Sequence, residues 1–224
     1  MAWTEAWALN EEQQIPTYAA TLGRVGLAAG ERVLDVGCGT GVFLRLCADR
    51  GAAVAGLDSS AAVIARARAR VPEADLRVAD LQTLPFAEDS FDLVTGFGSF
   101  FYAGDVVSAL TEAARVARPG GAVVVQAFGR PERCDLDALK ARPGTWRPEI
   151  VEELMPVPVE AAFDITWAYE YPDDAALLKA MRAAGAVAAA GPDPAAVLDA
   201  LAGCRQLDGS YRVANEWHVV VGRA

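Results

Sequence analysis

The stretch Val33-Leu34-Asp35-Val36-Gly37-Cys38-Gly39-Thr40-Gly41 decides the fold of this 224-residue chain. An apolar run leads into a glycine-rich segment, and the residues that follow, VFLRLCADRG, have the spacing of a helix. Glycine adopts positive φ without steric cost and lets a ligand touch the backbone. A helix N-terminus presents N–H groups that have no partner within the helix. The stretch therefore predicts a strand, a tight turn and a helix, with a ligand-binding site at the turn.

The spacing of the glycines limits which ligand the turn can hold. A dinucleotide-binding turn has the pattern G-x-G-x-x-G, which seats a pyrophosphate on the helix N-terminus. Here the third glycine, Gly41, comes one residue early, and Val42 stands at the expected position. The acidic Asp35 in the strand is unfavourable for a pyrophosphate and favourable for an ammonium group. The spacing disfavours a NAD-dependent dehydrogenase, and the sequence alone keeps that alternative open.

Short apolar runs alternate with helical patterns from residue 32 onward. The runs are almost continuously apolar, as expected for strands that are covered on both faces. They are RVLDVG (32–37), AVAGLD (53–58), LRVAD (76–80), FDLVTGF (91–97) and AVVVQAF (122–128). Helices between them are bounded by capping residues such as Asp105 and Gly51. Two further segments, FDITWAYEY (163–171) and EWHVVVGRA (216–224), also have the character of strands. The pattern therefore predicts an α/β fold with a mainly parallel sheet of about seven strands and helices on both faces.

The segments around this core divide one predicted domain into four parts. Residues 1–28 have apolar stripes typical of helices and are expected to form a lid over the core at 30–128. Residues 129–172 are rich in proline and end in FDITWAYEY (163–171), whose five bulky residues alternate and so share one face. This segment is expected to be a small substrate-side insertion. Residues 173–224 are expected to form C-terminal helices and a final strand.

Composition argues against several classes of function. The net charge is −10 and no run of Lys and Arg occurs, which disfavours nucleic acid as a partner. No apolar run approaches the ~18 residues that span a bilayer, and the first residues do not resemble a signal peptide. A cytoplasmic location and no membrane partner are therefore expected. The four cysteines form no CxxC pair, so neither a metal site nor a disulfide framework is expected. The excess of arginine over lysine is typical of a GC-rich bacterial genome.

The segment DVGCGTG (35–41) resembles motif I of class I S-adenosylmethionine (SAM)-dependent methyltransferases. Four further segments resemble the same family in order. Asp58 ends the second strand, Asp80 follows the third, FDLVTGFGSFF contains the fourth, and RVARPGGAVVV leads into the fifth. The resemblance covers residues 33–125 and fades after residue 130. It implies a Rossmann-like, doubly wound fold that binds SAM and releases S-adenosyl-L-homocysteine (SAH).

The resemblance assigns the glycine-rich loop to the methionine part of SAM. Gly37, Gly39 and Gly41 would let the loop approach the cofactor. Asp35 would fix the loop and face the amino group of SAM. Cys38 belongs to the same cofactor-binding loop, and its side chain is interpreted as a small filler rather than a nucleophile.

The remaining motifs are assigned to the nucleoside part of SAM. The Asp58 carboxylate would accept hydrogen bonds from both ribose hydroxyls, with Ser59 beside it. Asp80 would contact the adenine amino group, and Leu81 would offer its backbone N–H to the ring. Tyr18 would close the site from the N-terminal helix, an assignment that rests on its position alone.

Residues that bind the methyl acceptor are expected outside the motifs, at the carboxyl ends of the strands. Phe101 and Tyr102 follow the fourth strand, and Trp146 and Trp167 lie in the insertion. Packing in the core or beneath the lid is the alternative for each of them. No catalytic base is assigned, and His218, the single histidine, lies in the predicted final strand.

The sequence thus predicts a SAM-dependent methyltransferase that acts on an O, N or C nucleophile of a small molecule, as a monomer or homodimer. The residues after the fourth strand lack the Asn-Pro-Pro-Tyr or Asp-Pro-Pro-Tyr pattern of amino methylation of adenine or glutamine. The sequence also leaves open a SAM-binding protein of this fold that catalyses a reaction other than methylation. A non-catalytic SAM-binding subunit stays open as well.

Overall fold

Strands and helices alternate in the computed structural model, which describes residues 10–139, 147–183 and 193–224. The strands are β1 (Arg32–Val36), β2 (Ala53–Asp58), β3 (Asp75–Val78), β4 (Phe91–Phe97), β5 (Ala117–Phe128), β6 (Val159–Tyr171) and β7 (Tyr211–Arg223). The α-helices are α1 (Ile15–Val25), α2 (Val42–Ala48), α3 (Ala61–Arg70), α4 (Val106–Val116), α5 (Ile150–Leu154), α6 (Asp174–Ala183) and α7 (Pro194–Ala200). Each predicted strand is present, although β5, β6 and β7 begin four or five residues earlier than predicted.

The strands join one sheet in the order β3-β2-β1-β4-β5-β7-β6. Strands β1 to β5 pair in parallel, and β7 is antiparallel to both β5 and β6. The prediction of an α/β fold with a mainly parallel sheet of about seven strands is confirmed. Val33 packs into a cluster on one face of the sheet and Leu34 into a cluster on the other, and both are fully buried. Burial on both faces explains why the strands are almost continuously apolar.

Residues 159–171 form β6, an edge strand of the main sheet, which corrects the expectation that 129–172 is wholly an insertion. The register pairs Phe163 with Val219 and Ile165 with Trp217. The bulky residues that alternate along β6 therefore share one face of the sheet, as predicted. The described residues of this segment that lie outside the sheet are 129–139 and 147–158.

Five consecutive polar residues, Asn10-Glu11-Glu12-Gln13-Gln14, precede α1, and we call them the N-terminal strap. Asn10 contacts Tyr171 and Ala180, and Glu11 contacts Thr40 and Val42. Glu12 contacts Arg70, Gln13 contacts the backbone of Glu170, and Gln14 contacts Gln126. Proline in the first turn of α1 suits that position because its missing N–H needs no partner there. The described part of the predicted lid is thus largely helical and is tied to the glycine-rich loop, α3 and the end of β6.

Membrane-spanning helices and clustered metal ligands are not found in the described parts of the chain. None of the described helices has both the length and the hydropathy to cross a membrane. The described residues contain no group of three or more His, Cys, Asp or Glu side chains that could hold a metal ion. The cysteines at 38, 47, 134 and 204 are all buried, and no disulfide joins them.

Candidate functional site

A cavity of about 360 Å³ lies at the carboxyl ends of β1, β2 and β4. This size is within the range of small-molecule sites. The described residues that line it fall into two groups. We call the first the loop half; it comprises Gly37, Gly39, Asp58, Ser59, Ser60, Val63, Leu81, Phe97, Gly98 and Ser99. We call the second the aromatic half; it comprises Asn10, Gln14, Tyr102, Phe128, Leu136, Tyr169, Tyr171, Met181 and Trp217.

The glycine-rich loop has a shape that residues with a side chain would not tolerate. Gly37, Gly39 and Gly41 all have positive φ, at +79°, +52° and +83°. A Cβ on Gly37 would overlap the Cβ of Ser99. The N–H groups of Gly37 and Cys38 both donate to the Leu57 carbonyl, at 2.9 and 2.8 Å. The loop is therefore fixed against β2 and the end of β4, with Gly37 and Gly39 facing the cavity.

Asp35 lies behind this loop rather than in the cavity wall. Its side chain is 3% exposed, and the Thr95 hydroxyl donates to its Oδ1 at 2.8 Å. Burial, the largest effect, and the nearby charges of Glu11 and Asp58 together raise the pKa of Asp35 to about 7, although the Thr95 hydrogen bond opposes the shift. Cys38 is also buried and does not line the cavity, as expected for a small filler. Gly41 packs on Ala67 of α3, away from the cavity.

Glu11 of the N-terminal strap is a site residue that the sequence analysis missed. Its buried carboxylate accepts hydrogen bonds from the Thr40 N–H at 2.9 Å, the Thr40 hydroxyl at 2.8 Å and the Val42 N–H at 3.4 Å. Burial, the largest effect, raises the pKa of Glu11. Glu11 thus occupies the helix N-terminus at which a dinucleotide-binding protein holds its pyrophosphate. Nothing in the sequence separates the role of Glu11 from that of its neighbour Glu12. In the structure Glu12 forms an ion pair with Arg70 at 2.9 Å instead.

Asp58 lines the cavity at the end of β2. Its Oδ1 accepts the Ser60 N–H at 2.9 Å, and the Gly39 N–H nearby also favours its charged form. Burial raises its pKa, although these two N–H groups oppose the shift. Ser59 and Leu81 also line the loop half.

Asp80 and Tyr18 lie outside the described cavity wall. Asp80 is exposed, and its Oδ1 accepts the Gln82 N–H at 2.7 Å, as in an ordinary Asx turn. The Tyr18 ring is buried against Phe97 and Phe43, with ring centroids at 4.6 and 5.6 Å. Tyr18 therefore supports the cavity from behind Phe97.

Of the residues predicted to bind the acceptor, the structure brings Tyr102 to the cavity, at its exposed rim. Phe101 packs instead against the cluster on the opposite face of β1 that contains Leu34. Trp167 packs at the side of the cluster formed by β6, α6 and α7, and does not line the cavity. Trp146 lies outside the described residues.

The aromatic half consists mostly of residues that the sequence did not single out. Phe128 ends β5 and Trp217 lies opposite it on β7, with the two rings stacked at 4.8 Å. Tyr169 and Tyr171 belong to the alternating face of β6, a pattern that is more typical of core than of a pocket. The alternation in the sequence could have indicated that Tyr169 and Tyr171 share a face with the cavity. Nothing near Asn10 in the sequence indicates that it lies in the cavity wall.

His218 lies on the other face of the sheet from Trp217, because successive side chains of a strand point to opposite faces. Its Nδ1 is 2.7 Å from Asp164 Oδ1, and its Nε2 is 3.4 Å from Glu152 Oε1. It does not line the cavity. A role for His218 as a base in the cavity is therefore not supported.

Known proteins resemble this chain most clearly over the core. Residues 34–125 match the family described as "Methyltransferase domain". A demethylmenaquinone methyltransferase from Beutenbergia cavernae is 39% identical over 120 residues, which cover 54% of this chain and 50% of the relative. The chain spans about half the length of the curated relatives it matches. The resemblance to SAM-dependent methyltransferases that the motifs carry is confirmed, and it is clearest over residues 34–125.

Solved structures share the fold beyond the core. A SAM-dependent methyltransferase from Aquifex aeolicus superposes with a TM-score of 0.57 and 19% identity, over 66% of this chain and 83% of that one. The 4+2 cyclase SpnF superposes with a TM-score of 0.64 and 20% identity, over 93% of this chain and 79% of that one. At these identities the likeness establishes the fold alone.

Proposed function

We propose that this protein is an enzyme that transfers the methyl group of SAM to a small-molecule acceptor. The observation that carries the proposal is the negative charge around the glycine-rich loop. Glu11, Asp35 and Asp58 surround the glycine-rich loop, and burial raises the pKa of all three. Arg70 offsets this shift only in part at Glu11, and it forms its ion pair with Glu12. Buried carboxylates whose charge is not fully compensated favour a cationic ligand. SAM carries a sulfonium and an ammonium group, whereas NAD carries an anionic pyrophosphate.

The residues present fit SAM in the manner that the motifs imply. Asp58 would accept the ribose hydroxyls, and the backbone around Gly37 and Gly39 would border the methionine part. The charges of Asp35 and Glu11 would stabilise the ammonium group from behind the loop. Leu81 would lie against the adenine. Asp80 is the weakest of these assignments because its carboxylate is exposed in a turn.

When bound, SAM supplies a methyl group on a good sulfonium leaving group, so the chain has mainly to position the two reactants. Holding a nucleophile in line with the methyl converts a bimolecular step into an effectively unimolecular one. The rigid loop would fix the cofactor, and the aromatic half would fix the acceptor. The N-terminal strap, with Asn10 and Gln14 in the cavity wall, would exclude water between them.

Calorimetry with SAM is the direct test of the cofactor. We expect one site with a dissociation constant on the order of micromolar, and SAH bound at the same site. SAM at about 100 times its dissociation constant stabilises the fold by about 2.7 kcal/mol, which raises the melting temperature by about 5–10 °C. NADH is the matched control and should give neither heat nor stabilisation. Absence of both effects with millimolar SAM would contradict the proposal.

The affinity for SAM is expected to rise with pH between 6 and 8. With a pKa of about 7, Asp35 of the free protein holds a proton below neutral pH and must release it to face a cation. If ionisation of this one group controls binding, affinity at pH 8 is about tenfold higher than at pH 6. The raised pKa values of Glu11 and Asp58 act in the same direction. Asp35→Asn should flatten the profile, and an unchanged profile in that variant would rule out Asp35 as the group.

A small-molecule acceptor is proposed because the cavity has the size of a small-molecule site and the curated relatives include demethylmenaquinone methyltransferases. The fold shared with a cyclase keeps a reaction other than methylation as the second candidate. The mass of the product distinguishes methylation from another reaction, since methylation adds one CH₂ to the acceptor and converts SAM to SAH. The cytoplasmic location and the monomeric or homodimeric state stay predictions.

A further inference from the structure

We infer that the aromatic half of the cavity takes an uncharged aromatic molecule that carries a hydroxyl group, and that Asn10 and Tyr171 hold this hydroxyl by hydrogen bonds. The inference rests on the proposed function, because it assigns the acceptor to the part of the cavity that SAM leaves open. It names a class of ligand and two residues that determine specificity.

The charge of the wall supports an uncharged ligand. None of the described residues of the aromatic half has an ionised side chain at neutral pH, and Asp58, the charged residue of the lining, belongs to the loop half. Carboxylates and phosphates are usually held by Arg or Lys, which this wall does not supply. A cationic ligand would be repelled by the sulfonium of SAM beside it.

The arrangement of rings supports a flat ligand. Phe128 and Trp217 are stacked with an interplanar angle of 24°, and they lie opposite each other on β5 and β7. Tyr169 and Tyr171 add two more rings from β6. Aromatic side chains bury large areas and prefer offset-stacked or edge-to-face partners, so a ligand ring fits this wall better than a flexible chain.

The hydrogen-bonding capacity of Asn10 and Tyr171 supports a hydroxyl group. Both side chains line the cavity and are more than nine-tenths buried. The Tyr171 hydroxyl donates to Asn10 Oδ1 at 3.0 Å, and Asn10 Nδ2 donates to the Ala180 carbonyl at 3.3 Å. Among the described residues this leaves one N–H of Asn10 and a lone pair of Tyr171 without a partner. A hydroxyl uses both, because it accepts from Asn10 and donates to Tyr171.

Calorimetry with four ligands built on one ring system tests the inference on protein saturated with sinefungin, a SAM analogue that carries an ammonium group in place of the sulfonium and has no methyl group to transfer. The ligands are 1-naphthol, 1-methoxynaphthalene, 1-naphthoate and 1-naphthylmethylammonium. We expect 1-naphthol to bind best, the methyl ether more weakly, and the two charged ligands weakest. Tyr171→Phe should weaken 1-naphthol by about three- to tenfold, the effect of one lost hydrogen bond, and leave the ether nearly unchanged. Asn10→Ala should weaken both, because both present an oxygen to its N–H.

The control is Tyr211→Phe. Tyr211 lies opposite Tyr171 across the ladder and donates to Asp174 at 2.9 Å, but does not line the cavity. The Tyr211→Phe variant should bind all four ligands with the same affinities as the unsubstituted protein. Preferred binding of 1-naphthoate or of the ammonium ligand would overturn the inference. An unchanged affinity of Tyr171→Phe for 1-naphthol would do the same, as would a loss of SAM affinity in that variant. A protein that binds no SAM at all would instead contradict the proposed function.

Discussion

Replacing Asp58 by alanine is expected to weaken SAM binding by about 10- to 150-fold, which corresponds to the loss of about 1.5–3 kcal/mol for a hydrogen bond to a charged group. The side chain lines the cavity at the end of β2 and would accept the hydroxyls of the ribose. The stability of the protein without cofactor should change much less, because the buried charge is itself unfavourable in the fold. Calorimetry and thermal unfolding on the same samples measure the two effects separately.

Asp105→Ala is the matched control for Asp58→Ala. Asp105 caps α4 by accepting the Val107 and Ser108 N–H groups, at 3.0 and 3.3 Å, and does not line the cavity. Loss of a cap typically costs about 0.5–2 kcal/mol. We therefore expect the control to lose stability and keep its affinity for SAM. If Asp58→Ala behaved in the same way, Asp58 would merely order the backbone of Gly39 and Ser60.

Replacing Glu11 by alanine is expected to lower the free energy of unfolding by about 1–3 kcal/mol, because the N–H groups of Thr40 and Val42 lose a buried acceptor. For a chain of this length, each kcal/mol corresponds to a fall of about 2–4 °C in melting temperature. SAM affinity should fall as well, since the glycine-rich loop loses both its support and a negative charge.

Two further variants separate these effects of Glu11. Glu11→Gln keeps an oxygen acceptor without the charge, so it should retain most of the stability but not the full SAM affinity. Glu12→Ala removes a neighbouring carboxylate whose ion pair with Arg70 is half-exposed, and it should change stability by less than about 1 kcal/mol. Equal effects of Glu11→Ala and Glu12→Ala would show that the strap does not support the loop.

The strands and the glycine-rich loop could be predicted because their causes are local. Burial on both faces makes β1 to β5 nearly continuous apolar runs, and the positive φ values of Gly37, Gly39 and Gly41 require glycine wherever that turn occurs. Asp58 could be predicted for the same reason, because it ends a strand at the edge of the sheet where ligands bind.

The aromatic half could not be predicted because its residues meet only in the folded chain. Asn10, Tyr171 and Trp217 come from the strap, β6 and β7, and no spacing in the sequence relates them. The place of Phe101 after β4 predicts a position in the cavity, but in the short helical turn of Phe100–Tyr102 the neighbouring side chains diverge. Tyr102 of that turn reaches the cavity rim, whereas Phe101 packs against the cluster that contains Leu34 on the opposite face of the sheet.

The position of β7 bears on the order in which the protein folds. This strand follows all the others in the sequence, yet it lies inside the sheet, between β5 and β6. Strand β6 has no described sheet partner besides β7, so it cannot join the sheet before β7 has paired with β5. Pairing between residues as distant in the chain as Gln126 and Val219 is slow, because a long loop must close first. The β1–α2–β2 unit that carries the glycine-rich loop can therefore form early, and the wall around Trp217 is completed in the last stage of folding.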